Sequence, residues 1–221
     1  MRKNKKKANK YEIVTDEQFR TIRTSIEFSQ VSKGYKCIMI SSPEPGSGKS
    51  TIASSLAISY AKKGTKTLLI DSDMRKPRIH QIFNMHNEKG LSTKLLYTDD
   101  KEDGIQQTLI DNLYVLTSGP IPPDPTALLG SENLDILLKK YNEEFEFIIF
   151  DTPPLNLVSD SSILLSKVDG TVLVMRNNLT LKKDTKKALA IIQNFNGNLI
   201  GGILNGVTKK DNIKYKYSQT Y

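Results

Sequence analysis

Short apolar runs recur along this chain, separated by stretches in which apolar residues return every three or four positions. Ile38-Met39-Ile40, Thr67-Leu68-Leu69-Ile70, Asn112-Leu113-Tyr114-Val115-Leu116, Phe147-Ile148-Ile149-Phe150, Thr171-Val172-Leu173-Val174-Met175 and Leu199-Ile200-Gly201-Gly202-Ile203-Leu204 are runs of the kind that strands buried on both faces show. Between them, Phe19, Ile22 and Ile26 predict a helix opened by the capping box Thr15-Asp16-Glu17-Gln18 and running to about Ser29. Ile52, Leu56 and Tyr60 predict a second, closed by Lys62-Lys63-Gly64. Further helices are expected from Pro77, after Gly90-Leu91-Ser92, up to about Tyr141, and from about Thr180 to Phe195. This alternation specifies an α/β fold in a single domain, a mostly parallel sheet with helices on both faces. Ligands of such sheets sit outside the carboxyl ends of the strands. Residues 84–111 are polar and weakly periodic and suggest no chemistry, and the Pro-rich loop Gly119 to Pro125 either walls a pocket or stiffens a connection.

The first apolar run enters Ser41-Ser42-Pro43-Glu44-Pro45-Gly46-Ser47-Gly48-Lys49-Ser50-Thr51 and then a helix. Glycines at 46 and 48 let backbone N–H groups converge on a phosphate, and the following helix N-terminus favours an anion. Gly46, Ser47, Gly48, Lys49, Ser50 and Thr51 are therefore the expected cradle for ATP, with Lys49 on the β- and γ-phosphates and Ser50 on Mg²⁺. The pattern G-x-x-x-x-G-K-[ST] is incomplete at its first position, where Pro43 stands.

Two more apolar runs end in acids. Asp151 follows Phe147 to Phe150 and has the position of a Walker B aspartate, holding Mg²⁺ directly or through water. Asp71 and Asp73 lie two apart at a strand end, so that one can serve the metal and the other take the proton of an acceptor hydroxyl. Taken alone, strand-terminal aspartates are ordinary caps or turn formers; following a phosphate loop, they complete a P-loop NTPase-like site.

Charge changes the picture at the ends. The net charge is +8, but Arg2, Lys3, Lys5, Lys6, Lys7 and Lys10 supply six of these with no acid among the first ten residues. Residues 1–14 thus read as a basic flexible arm, able to lie against an anionic leaflet or acidic partner, or simply solvated. The balance of the chain gives no reason to expect nucleic acid. One cysteine, Cys37, permits no disulfide within the chain and favours a reducing compartment, the cytoplasm. No run approaches the roughly 18 apolar residues that span a bilayer. Residues 209–221 lack apolar periodicity, are expected to be disordered, and hold Tyr215, Tyr217 and Tyr221.

In combination these motifs resemble those of the bacterial tyrosine kinases, the BY-kinase family, and within it the capsular polysaccharide kinases of Gram-positive bacteria. The residues that carry the resemblance are Leu68-Leu69-Ile70-Asp71-Ser72-Asp73-Met74-Arg75, Asp151-Thr152-Pro153-Pro154, the E-x-x-R-x-x-R helix Glu17, Arg20 and Arg23, and the C-terminal tyrosines. The resemblance implies a kinase domain over residues 15–208 with Lys49, Asp71, Asp73 and Asp151 as catalytic residues and Ser50, Asp71 and Asp151 toward the metal. It implies transfer from ATP to Tyr215, Tyr217 and Tyr221 of a neighbouring subunit and to other tyrosine-containing proteins. It further implies a homo-oligomeric ring, an octamer by analogy, closed through Glu17, Arg20 and Arg23, although a charge cluster of this kind more commonly only solvates a helix. A transmembrane adaptor would activate the kinase and hold it at the inner face of the membrane, in the service of capsular or exopolysaccharide synthesis. Lys49→Met is expected to abolish transfer and spare the fold. The rival is an ATP-switched partner-binding protein of the ParA/MinD kind, whose signature lysine would stand where this chain has Glu44.

Overall fold

Strands whose residues are apolar at every position must be covered on both sides, and that requirement organises the molecule. The computed structural model describes residues 16–30, 34–97 and 104–207. In chain order it contains α1 (Asp16–Gln30), β1 (Cys37–Ser41), α2 (Lys49–Lys62), β2 (Thr67–Asp71), α3 (Ile79–Phe83), α4 (Leu91–Leu96), β3 (Ile105–Gln107), β4 (Leu113–Leu116), α5 (Pro125–Gly130), α6 (Glu132–Glu144), β5 (Phe147–Asp151), α7 (Asp160–Leu164), β6 (Gly170–Arg176), α8 (Lys182–Asn194) and β7 (Leu199–Asn205). The seven strands form one sheet in the order β3-β4-β2-β5-β1-β6-β7, parallel at every pairing except β3 with β4.

Alternate residues of the central strands feed two cores. Met39, Leu68, Ile70, Ile148 and Phe150 point to one face, where Leu134, Leu138 and Tyr141 of α6 and Ala188 and Ile192 of α8 cover them. Ile38, Ile40, Leu69, Phe147 and Ile149 point to the other, under Ile52, Leu56 and Tyr60 of α2 and Phe19 and Ile26 of α1. The three residues expected to face inward from each of these last two helices do so, Ile22 only in part. α2 ends as expected at Lys63 and Gly64, the latter at φ 100°.

Four elements differ from expectation, one of them α7, for which no helix was anticipated. The helix anticipated at Pro77 begins at Ile79, because the N–H groups of Arg78 and Ile79 are held by Asp71. The single helix anticipated before Tyr141 is two, α5 and α6, broken at Ser131, which is extended. β3, an antiparallel strand at the sheet edge, was not anticipated; its sequence Ile-Gln-Gln carries no apolar run. The Pro-rich loop stiffens a connection: Asn87 exchanges two hydrogen bonds with the backbone of Gly119, and Ser92 donates to the Pro120 carbonyl. Gly90 lies so close beneath it that a Cβ there would stand 2.3 Å from the Gly119 nitrogen. The basic arm, Thr15 and the tyrosine tail lie outside the described residues. Among those described, no helix is long and apolar enough to cross a membrane.

Candidate active site

β1, β2 and β5 are adjacent in register, with Ile40 beside Asp151 and Asp151 beside Asp71, so their carboxyl ends deliver the phosphate loop and the acids to one place. The loop reaches α2 through Gly46 at φ 79° and Gly48 at φ 91°, a region costly for any residue with a Cβ. At Gly48 a Cβ would also stand 2.4 Å from Asn205 Nδ2. The loop carbonyls are drawn to one side. Arg176 donates to the Gly46 carbonyl (2.8 Å), Asn205 Nδ2 to that of Ser47 (2.9 Å) and the Ser42 hydroxyl to that of Glu44 (2.8 Å), while Thr180 donates to the Glu44 carboxylate. A loop held in this way presents its N–H groups to the opposite side, where the first turn of α2 adds its own.

Lys49 crosses the mouth of this cradle. Its ammonium lies 2.9 Å from Asp73 Oδ2, 3.6 Å from Asp151 Oδ1 and 3.4 Å from the Ser50 hydroxyl. Burial alone would depress it, but the charges of Asp151 and Asp73 and the hydrogen bond to Asp73 raise it above the ordinary lysine value. Asp71 is wholly buried and occupied: its Oδ2 accepts from the N–H groups of Arg78 (2.9 Å) and Ile79 (3.0 Å), and its Oδ1 from that of Asp73 (3.2 Å). Burial and the neighbouring Asp151 push its carboxyl up to about 7. Asp151 is also raised, by burial, against the pull of Lys49 and Ser50.

Both oxygens of Asp151 are buried without a hydrogen-bond partner. A buried carboxylate left open beside a hydroxyl offers the oxygen ligands that a hard divalent cation takes, so Asp151 and Ser50 fit Mg²⁺. Asp73 differs from both other acids in lining a cavity of about 760 Å³, together with Gly46, Gly48, Lys49, Ser50 and Thr51. That is ample for a nucleotide. Ser47 does not line it; its carbonyl serves the clamp from Asn205.

The expected residues of the nucleotide and acid motifs are thus brought together. Glu17 and Arg20 are exposed on α1, away from this cavity, whereas Arg23 turns inward and donates to the Ser59 carbonyl of α2 (2.5 Å), with Glu27 3.6 Å away. Tyr215, Tyr217 and Tyr221 lie outside the described residues. Sequence reasoning gave no part to Asp160, which grips Arg75 through Nε (2.8 Å) and Nη2 (3.0 Å) and accepts from Thr126 (2.7 Å). Burial would raise that carboxyl; Arg75 and Thr126 hold it below its usual value. It missed Arg176 and Asn205 as well, whose only signal is their position at the ends of apolar runs.

A family model described as AAA domain matches residues 35–197. The tyrosine-protein kinase YwqD of Bacillus subtilis is 42% identical over 94% of this chain and 87% of its own length, and the tyrosine-protein kinase CpsD of Streptococcus agalactiae is 39% identical over 88% of this chain and 85% of its own. Among solved structures, the chimerical protein CapA2B2 matches at 42% identity with a TM-score of 0.83, covering 87% of this chain and 85% of that one. The kinase domain of the Escherichia coli tyrosine kinase ETK matches at 34% identity with a TM-score of 0.84, covering 88% and 76%. The cell division ATPase MinD of Pyrococcus furiosus shares the fold, with a TM-score of 0.66 at 23% identity over 80% of this chain and 75% of that one.

Proposed function

This chain belongs to the bacterial tyrosine-protein kinases, and on that premise we propose that it transfers the γ-phosphoryl group of Mg·ATP to Tyr215, Tyr217 and Tyr221 on the tail of a neighbouring subunit. The observation that carries the reading is Lys49 bridging Asp73 and Asp151 at the mouth of the cavity. Asp73 is the base, because it is the acid that faces the cavity while the oxygens of Asp71 are taken by backbone N–H groups. The acceptor phenol gives its proton to Asp73, its oxygen bonds to the γ-phosphorus, and the bond from that phosphorus to the β-phosphate oxygen breaks, leaving ADP with the electron pair. Lys49 neutralises the β- and γ-oxygens and the loop N–H groups hold the departing phosphate. Asp151 and Ser50 would hold Mg²⁺, which would supply further neutralisation when bound, while Asp71, whose oxygens accept backbone N–H groups, would stand behind them. Asp71 also fixes the backbone of Asp73 and the start of α3.

In this reading Glu17 and Arg20 close a ring of subunits, with Arg23 anchoring their helix to α2. A transmembrane adaptor recruits the kinase to the inner face of the membrane, and the pathway served is capsular or exopolysaccharide synthesis. Glu44, standing where a ParA/MinD-like switch would carry its signature lysine, supports a kinase over that switch. The test mixes an Asp73→Asn chain, whose tail is intact, with a chain carrying Tyr215→Phe, Tyr217→Phe and Tyr221→Phe. Phosphate should appear on the tail of the Asp73→Asn chain. Phosphorylation confined to unmixed, unaltered chains as a first-order process would overturn transfer between subunits.

A further inference from the structure

The cavity does not end at the phosphate loop. Beyond Ser50 it runs along the flank of α2, past Ser54 and Ile58, to Gln81 and Ile82 of α3. Residues 46–51 line the phosphate end of this cavity, and Asp73, Lys76 and Arg78 line it together with the extension. Ser54, one turn on from Ser50, is 3% exposed, and its hydroxyl has no hydrogen-bond partner. A buried polar group left open in a cavity wall is a place for a ligand to bond. Ile58 and Ile82 supply the apolar contact that an aromatic ring or an extended segment needs.

The lip of the extension is cationic. Arg75 is spent on Asp160, but Lys76 and Arg78 are exposed, and among the described residues Lys76 makes no ion pair and the Arg78 side chain bonds to the neutral Gln81 (3.3 Å). The Lys76 N–H donates to Asp73 Oδ1 (3.1 Å), which places its ammonium within one side-chain length of the base. The stretch from Ile213 to Tyr221 meets this lip badly, since it carries Lys214 and Lys216 and no acid. A phosphate on one tyrosine adds about −1.5 to −2 charges, which offsets the two lysines and gives the segment a local anion for the lip to hold. Were the tail to bind as an extended segment, Tyr215 and Tyr217, two residues apart, would lie on the same side about 7 Å apart.

We propose that the lip formed by Lys76 and Arg78 reads phosphotyrosine, so that a tail phosphorylated once docks through that group and presents its next tyrosine to Asp73. The inference rests on the tail being the substrate. Phosphorylation of the cluster then accelerates after its first event, each phosphate recruiting the next.

The test uses the full chain with its own three tail tyrosines changed to Phe, and two synthetic peptides of residues 209–221, one unmodified and one phosphorylated at Tyr217. Initial rates in Mg·ATP should give the phosphorylated peptide a KM about tenfold lower, as a charge-assisted contact would, with kcat little changed and the advantage shrinking as salt is added. Lys76→Glu with Arg78→Glu, both at exposed positions, should bring the ratio of the two KM values to about one or below. Equal KM values with the unaltered lip would overturn the inference and leave the tail reading standing, as would a preference that survives the double charge reversal. Phosphorylation of neither peptide would overturn both.

Discussion

Lys49→Met tests whether the charge cluster is part of the fold as well as of the site. Seen in the sequence, Lys49 is a charge whose loss spares the core; in the structure its ammonium is nearly enclosed, with 11% of the side chain exposed, between Asp73 at 2.9 Å and Asp151 at 3.6 Å. At an effective dielectric of about 20 each of these pairs is worth about 5 kcal/mol before desolvation is subtracted. Removing one partner of a buried pair costs about 3–5 kcal/mol, because the remaining charge is stranded. Met matches Lys in length, so the loss is electrostatic and not a cavity. It must therefore depend on pH. The Asp71 and Asp151 carboxyls are raised in the folded state, so each opposes folding increasingly as pH rises from its unfolded to its folded value, and Lys49, protonated throughout, is the compensating charge. Urea denaturation of the nucleotide-free protein should show Lys49→Met about 3 kcal/mol less stable than the parent at pH 8, and a smaller loss at pH 5, nearer the neutral forms of the raised Asp71 and Asp151 carboxyls. The m-value should not change. An equal loss at both pH values, or none at pH 8, would refute the reasoning. Phosphorylation should be abolished at either pH.

Glu17→Ala with Arg20→Ala should reduce the mass measured by light scattering in Mg·ATP toward that of the monomer, with stability altered by no more than about half a kcal/mol, as suits exposed positions. Adding Arg23→Ala should cost a further ~1 kcal/mol in urea, since that residue bonds to Ser59 within the same subunit. Asp160→Asn should lower stability by about 1 kcal/mol at pH 7, discounted for the 43% exposure of the Arg75 side chain. Because the Asp160 carboxyl is held below its unfolded value of 3.8, its contribution is present above that pH. The gap between parent and variant should therefore close as pH falls through the lower, folded value.

What was legible in the sequence was what apolar density encodes. Strands buried on both faces announce themselves, as Phe147 to Phe150 does, and a helix that covers them shows its stripe, as Ile52, Leu56 and Tyr60 do. The phosphate loop, Asp73 and Asp151 were legible because their residue types are demanded by chemistry at strand ends. β3 was not, since a strand at the edge with one partner needs no apolar run. The break at Ser131 was not read either, although it is marked locally: Gly130 is a stop signal and Ser131 a cap, set within residues whose periodicity runs on through them. Nor were the clamps on the loop. Arg176 reaches Gly46 and Asn205 reaches Ser47 from more than a hundred residues away, and nothing local marks either as a partner. Arg23 shows the same limit in the other direction: its spacing with Glu17 and Arg20 groups the three, while the fold sends it inward to Ser59.

The most direct test of the central claim follows the γ-phosphate itself. The full chain is incubated with Mg·ATP labelled at that position, and the label is apportioned between protein and free phosphate, with the modified residues identified by mass spectrometry. The account predicts phosphotyrosine at Tyr215, Tyr217 and Tyr221, lost in Asp73→Asn while nucleotide binding is retained. Label released only as free phosphate, with ADP formed and no tyrosine modified, would contradict it and make the protein an ATP-driven switch.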